Sequence, residues 1–472
     1  MSTRELLPSA APDAPPRGAI FASAPMSAAP EPLDGRTELM SIGLSLRSNF
    51  VWILIGNAIY ATCQWGAIVA LAKLGSSFMI GQFSLGLAIA TPVLMFTNLH
   101  LRVVQATDSR RLYSFGEYLR LRAAMTLCGL AAIAGITCFG HYERQTKMVI
   151  LTVALAKGIE TLSDIHYGLF QLNDRLDQSG RSMMLRGILS VAALSTGLYL
   201  TRNILWGCAG MALVWLAALL VFDVRRGRLI VASHPGYQNF VRPTEPGRRW
   251  NLVRTALPLG IATTMAALNL NMPRYFIHAR LGEHQLGIYS AMAYTTVAMI
   301  LVSDSLGHCA IPRLARLYSE GRLTEYRCLL ARLLAAGGSL GLAGLAAAQF
   351  MGVRLLKLVY GSEYAAHSRI FLMLVLATAI YCVASMFTSA ITSARCFRIQ
   401  VPLYALVVGS NALACAFWVP AAGLAGGAAA TVVAAVTHLV LGAAAVGSLL
   451  CAPGKRSFCA FRWASNARLS AQ

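Results

Sequence analysis

The stretch Pro258–Ser290, PLGIATTMAALNLNMPRYFIHARLGEHQLGIYS, decides how the chain is read. It opens as an apolar run able to cross a bilayer. Near the far end of that run stand Asn269, Asn271, Pro273 and Arg274, polar or helix-breaking residues that a lipid-facing helix would avoid. The chain turns at Arg280-Leu281-Gly282 and re-enters an apolar run at Gly287-Ile288-Tyr289-Ser290. The same pattern occurs in the first half: Lys73-Leu74-Gly75 closes an apolar run and Gly81-Gln82-Phe83-Ser84 opens the next. Basic-Leu-Gly, a short gap and Gly-x-aromatic-Ser thus occur twice, with gaps differing by one residue, which predicts two related halves.

Composition agrees. Of 472 residues, 57% are hydrophobic and only 12% charged, against about 25% charged in soluble domains. Mean hydropathy is +0.59. The chain reads as an all-α polytopic membrane protein. Apolar windows fall near 50–72, 79–98, 123–140, 148–170, 186–201, 204–222, 255–277, 287–308, 329–350, 367–390, 401–419 and 422–450, about twelve transmembrane helices. The 11 cysteines are scattered through apolar runs without a C-x-x-C pair, as packing residues are. Residues 1–46 hold seven of the 17 prolines among Ala and Ser and read as a disordered tail. No basic start followed by an apolar core marks a signal peptide there, so the first span is expected to direct insertion.

The net charge of +21 is a topology signal. With the N-terminus in the cytoplasm, most of the 40 Lys and Arg fall on the inner side. Arg102, Arg110, Arg111, Arg120 and Arg122, then Arg175, Arg181 and Arg186, read as inner connections. The long basic linker over 224–254 and both tails join them, which puts both termini inside. Such a face would sit against anionic headgroups, and no nucleic-acid partner is expected. The domains expected are a tail over 1–46, a six-helix lobe over 47–223, the linker over 224–254, a second six-helix lobe over 255–451 and a basic tail over 452–472.

Two constellations carry candidate chemistry. Lys157, Glu160 and Asp164 share one face of the fourth span, since their separations are three and four. A charge at mid-bilayer costs about 2.5–3.5 kcal/mol on insertion scales. Three on one stripe must therefore pair, either as an internal network that pins helices or as the wall of a cavity that couples to an ion. With two acids and one base, one carboxylate lacks a partner on this helix, and Asp164 is the candidate titrating group. In the seventh span, Arg274 is either a snorkelling anchor or, with Asn269 and Asn271 before it, part of a substrate-binding wall. Pro273 frees the carbonyl one turn back, and a guanidinium there would match the paired oxygens of phosphate or an acidic sugar.

Asp304 and His308 read as a solvated span end, and His438 as a buried, hydrogen-bonded histidine. Gly337, Gly341, Gly344, Gly423, Gly426 and Gly427 read as close helix packing. No ATP-binding loop or metal motif is present in the sequence, and no cofactor is expected.

Over roughly residues 45 to 450 the chain resembles the polysaccharide transport family of lipid-linked oligosaccharide flippases, within the multidrug/oligosaccharidyl-lipid/polysaccharide (MOP) exporter superfamily. The two Leu-Gly/Gly-x-[YF]-Ser turns, Ile159–Arg175 and Pro258–Ser290 carry the resemblance. It implies a V-shaped carrier of two six-helix lobes in a bacterial inner membrane. Such a carrier moves undecaprenyl-pyrophosphate-linked repeat units outward by alternating access, for capsule, exopolysaccharide or O-antigen, beside a polymerase and export machinery. Many members have an Asp before the seventh-span Arg; here Pro273 takes its position, which leaves Arg274 an anion-binding role. A multidrug or cation exporter of the same superfamily and a membrane polysaccharide polymerase are the alternatives.

Overall fold

A computed structural model describes residues 44–106, 108, 113–233, 248–394 and 396–451. Both expected tails beyond that range, and the middle of the basic linker, lie outside the described residues. All regular elements among them are helices. In the first group are α1 (Leu46–Leu74), α2 (Ser77–Asn98), the short α3 (Leu101–Ala106), α4 (Phe115–Phe139), α5 (Arg144–Leu172) and α6 (Leu176–Thr201). There follow α7 (Ile204–Ala217), a π-helical stretch over Ala218–Val224, and α8 (Arg225–Ser233). The second group holds α9 (Arg248–Thr295), α10 (Val297–Ser319), α11 (Leu323–Val359), the short α12 (Ser362–Ala365), α13 (Ser368–Ser393), α14 (Phe397–Ala422) and α15 (Leu424–Cys451). The expected linker is thus helical at both ends, through Ser233 and from Arg248.

Ten helices among the described residues are long and apolar enough to cross a membrane. The charged α5 and the first arm of α9 complete the expected twelve crossings. In α9 the anticipated turn shrinks to one residue: Gly282, at φ +79°, breaks a helix that otherwise runs from Arg248 to Thr295. A β-carbon at that φ would be strained, so glycine is what lets the chain bend there. The first copy of the turn is built differently. Gly75 ends α1, and the side chain of Ser76 caps α2 by accepting from the Met79 amide at 3.4 Å.

The two copies of the repeat meet. A β-carbon on Gly81 would overlap the backbone carbonyl of Glu283, and one on Gly287 would overlap that of Ser77. The aromatic and apolar residues beside them, Ile80, Phe83, Leu286, Ile288 and Tyr289, join one buried cluster spanning both groups of helices. The pairing of α2 with α9 is the most extensive in the molecule. Around it the groups are tied by polar contacts at the arginine-poor end. Ser77 Oγ lies 2.7 Å from His284 Nδ1 and donates to Glu363 Oε1 at 3.0 Å. Thr146 Oγ1 donates to Glu283 Oε1 at 3.2 Å, and Trp65 Nε1 donates to the Tyr360 hydroxyl at 2.9 Å.

Other packing follows the glycine reading. Gly337 and Gly341 face the backbones of Cys382 and Ala379 on α13, and Gly427 faces Ile277. His438 is 2% exposed and bonds Thr388 Oγ1 at 2.9 Å, as a satisfied interior histidine would. Asp304 accepts from the Tyr381 hydroxyl at 3.3 Å.

Candidate functional site

The stripe on α5 faces a cavity of about 540 Å³ within the first group of helices. Close backbone approaches set its walls. Gly56 on α1 lies against Gly180 on α6, where a β-carbon would come within 2.6 Å of the Gly180 α-carbon. Thr161 and Thr126 hydroxyls meet at 2.9 Å and dock α5 on α4. These contacts bring Tyr60, Arg186, Arg122 and the α5 stripe to one space.

Within it the charges form two linked groups. Lys157 Nζ donates to Glu160 Oε2 at 2.7 Å, the Tyr60 hydroxyl donates to Glu160 Oε1 at 2.5 Å, and Arg186 Nη2 stands 3.7 Å from the same oxygen. One turn on, Asp164 accepts from Arg102 Nη1 at 3.1 Å and from Arg122 Nη2 at 3.0 Å. Asp164 has no cation on its own helix, as its stripe implied, and the missing cations come from α3 and α4. Two arginines assigned to inner connections also prove interior, since Arg122 is 0% and Arg186 2% exposed. An interior guanidinium is tolerable only with a counter-charge, and both have one, Asp164 for Arg122 and Glu160 for Arg186. Arg122 Nη1 also donates to the Asn98 carbonyl at 3.1 Å. Arg186 stacks near three rings, 5.3 Å from Tyr60, 5.6 Å from Tyr167 and 5.3 Å from Trp215.

The charged lining is therefore unbalanced. Arg102, Arg122, Lys157 and Arg186 face two carboxylates, Glu160 and Asp164. Arg186 Nε and Nη1 and Arg122 Nε are buried without a hydrogen-bond partner. Such a space favours an anion, because donors already desolvated gain most from an acceptor that arrives with negative charge.

The seventh-span residues lie elsewhere. Arg274, Asn269 and Asn271 do not line this cavity. Arg274 folds back along α9: Nη1 donates to Asn271 Oδ1 at 2.6 Å, and the guanidinium lies 5.1 Å from the Tyr294 ring centre. Its Nε is buried and unpaired. Asn271 Nδ2 donates to the Ala267 carbonyl at 2.8 Å. Pro273 cannot bond the Asn269 carbonyl, and Asn411 Nδ2 on α14 fills the gap, donating to that carbonyl at 3.0 Å and to Asn269 Oδ1 at 2.8 Å.

Solved structures share this helical fold. The lipid II flippase MurJ in its inward closed conformation superposes with a TM-score of 0.63, at 12% identity, over 84% of this chain and 87% of that one. A multidrug resistance MATE family transporter of the MOP superfamily, inward-facing, gives a TM-score of 0.56 at 15% identity over 89% and 99%. The chain has the MOP exporter superfamily fold. It is a multi-pass membrane protein built as that superfamily's transporters are. In sequence it is similar to the capsular polysaccharide biosynthesis protein CapF of Staphylococcus aureus, 26% identical over 334 residues, covering 69% of this chain and 80% of that protein. No protein-family model matches the sequence.

In this MOP-type frame, the residues that sequence reasoning missed are Arg102, Arg122, Arg186 and Tyr60. One signal for Arg122 was available. Ser114 and Glu117 form a capping box, their side chains bonding each other's backbone amides at 3.2 and 2.7 Å. That S-x-x-E pattern starts α4 well before its apolar window and carries Arg122 two turns into the helix.

Proposed function

We propose that this chain is a bacterial inner-membrane flippase. It carries undecaprenyl-pyrophosphate-linked oligosaccharide repeat units from the inner to the outer leaflet, for capsule, exopolysaccharide or O-antigen synthesis, by alternating access of its two lobes. The observation that carries the reading is the basic excess of the cavity, with guanidinium donors left unpaired beside it. A pyrophosphate offers the anionic, paired acceptors those donors lack. The capsular relative supports the saccharide side of the reading. Export of organic cations is disfavoured by the same charge balance. In this reading the arginine-rich face and both termini are cytoplasmic, Lys157, Glu160 and Asp164 hold the cavity's charge in place, and Arg274 with Asn269 and Asn271 forms a second contact in the other lobe. A polymerase and export machinery would take the product onward.

The test has two arms. Purified protein is titrated with undecaprenyl pyrophosphate and with undecaprenol, and polymer at the cell surface is measured in a deletion strain complemented with wild type, Lys157→Gln or Arg102→Gln at equal membrane abundance. The expected result is binding that requires the pyrophosphate and surface polymer that falls in both variants. Equal binding of the two lipids, with export unchanged, would sink the proposal.

A further inference from the structure

Behind the cavity wall stands a carboxyl that no role above uses. Asp223 is 0% exposed, and neither of its oxygens accepts a hydrogen bond. It sits in the π-helical stretch over Ala218–Val224, inside a helix otherwise regular from Ile204 to Ser233. π-helical turns widen the backbone and recur at functional positions. The polar groups facing Asp223 are the hydroxyls of Ser182 on α6 and Ser163 on α5, and the Arg186 guanidinium. Ser163 Oγ is itself buried without a partner. Arg225 and Arg226 follow on the same helix, and the His166 ring of α5 packs where a β-carbon on Gly227 would be, with its Nδ1 held 2.9 Å from the Leu162 carbonyl.

We propose that Asp223 is a proton-binding site that controls Arg186, so that gain or loss of one proton changes the charge presented to the cavity. The argument is one of unmet demand on two neighbours. A carboxylate buried without hydrogen bonds is strongly disfavoured, and holding a proton removes its charge. Arg186 is held to Glu160 by Nη2 alone, at 3.7 Å, while its Nε and Nη1 are buried and unpaired. The guanidinium therefore stands between two acids and is tied to one. Once Asp223 loses its proton, the bare carboxylate becomes the stronger attractor for those free N–H groups, and Arg186 swings off Glu160. Lys157 and Tyr60 remain to hold Glu160.

A route for the proton is present. The Tyr167 hydroxyl meets Ser182 Oγ at 2.8 Å, and Tyr167 lines the cavity. Ser182 in turn faces Asp223. Once the Ser182 hydroxyl turns to meet the carboxyl, a proton leaving Asp223 passes to Ser182, whose own proton moves to Tyr167, whose own proton moves to water in the cavity. Each hydroxyl gives one proton and takes one. Proton binding at Asp223 and the placement of Arg186 beside Glu160 in the cavity are thereby two readings of a single state. The site does not depend on which anion the cavity carries.

The experiment uses the full chain, purified into lipid nanodiscs without substrate. Difference infrared spectra between mildly acidic and alkaline pH follow the carbonyl stretch of a protonated carboxyl, and Trp215 emission, isolated by subtraction of a Trp215→Phe sample, follows Arg186, which stacks on that ring. The expected result is a carboxyl band lost on alkalinisation in wild type and in Asp304→Asn, but missing at every pH in Asp223→Asn. Trp215 emission should shift with the same midpoint in wild type and stay flat in Asp223→Asn. Asp223→Ser, smaller and equally unable to hold the proton, gives the same pair of losses and replaces the Asn variant should that one not fold. A band that persists without Asp223, or a Trp215 shift unaltered by its removal, overturns the proposal.

Discussion

Adding one methyl group at Gly287 tests whether the two copies of the repeat are the closure between the lobes. A β-carbon there would overlap the Ser77 carbonyl, and the equivalent change at Gly81 would overlap the Glu283 carbonyl. Neither obstacle is a side chain that could rotate away; both are backbone. Overpacking costs about 1–3 kcal/mol where side chains can adjust, so the upper end of that range applies, less about 1 kcal/mol that alanine returns through helix propensity. A net cost of about 2 kcal/mol lowers the population of the closed pairing by roughly thirtyfold, since each 1.4 kcal/mol is tenfold. The assay is a disulfide cross-link between Ser77→Cys and His284→Cys, whose side chains touch at 2.7 Å. Cross-linking should be fast in the otherwise unaltered chain and slow by that factor when Gly81→Ala or Gly287→Ala is added. Gly338→Ala is the control, because nothing lies within 4 Å of a β-carbon there. Equal cross-linking rates in the Gly287 and Gly338 variants would refute the idea that this contact holds the arginine-poor end shut.

Asp164→Asn leaves the fully buried Arg122 without its carboxylate, a change that costs about 3–5 kcal/mol when a buried pair is broken; the thermal melting point of the purified protein should fall well below that of Arg102→Gln, whose side chain is part exposed. Asn411→Leu strips the Asn269 carbonyl and amide oxygen of their donor, at about 1–3 kcal/mol for a buried unpaired group. Adding Pro273→Ala should recover part of that loss, because residue 273 then offers an N–H to the carbonyl, and a double-mutant melting cycle reads the recovery. In the second lobe, Arg274→Ala should reduce surface polymer at equal membrane abundance and Arg274→Lys should restore part of it; export unchanged in both removes Arg274 from the transport path.

The fold was legible because bilayers impose a length. Apolar windows located the crossings, and α5, a crossing too charged to pass on composition, fails through the residues Lys157, Glu160 and Asp164 that face the cavity. The Pro273 reading was half available: proline frees the Asn269 carbonyl by its own chemistry, but the donor that takes it, Asn411, is 142 positions away and needs a fold to find. Arg122 and Arg186 escaped for a different reason. An apolar window begins at or just after the last arginine before it, so the window rule assigns every such arginine to a connection and counts it as a topology marker. Yet α4 and α6 begin at Phe115 and Leu176, several residues upstream of those arginines. What makes their burial affordable is an acid on another helix, Asp164 for Arg122 and Glu160 for Arg186. An arginine at the edge of one window and an acid stripe inside a neighbouring one are therefore a single observation divided between two spans. The excess of acids over bases on the α5 stripe, Glu160 and Asp164 against Lys157, already required cations from elsewhere, and the nearest supply in this sequence was the set of arginines that the window rule had set aside as loops.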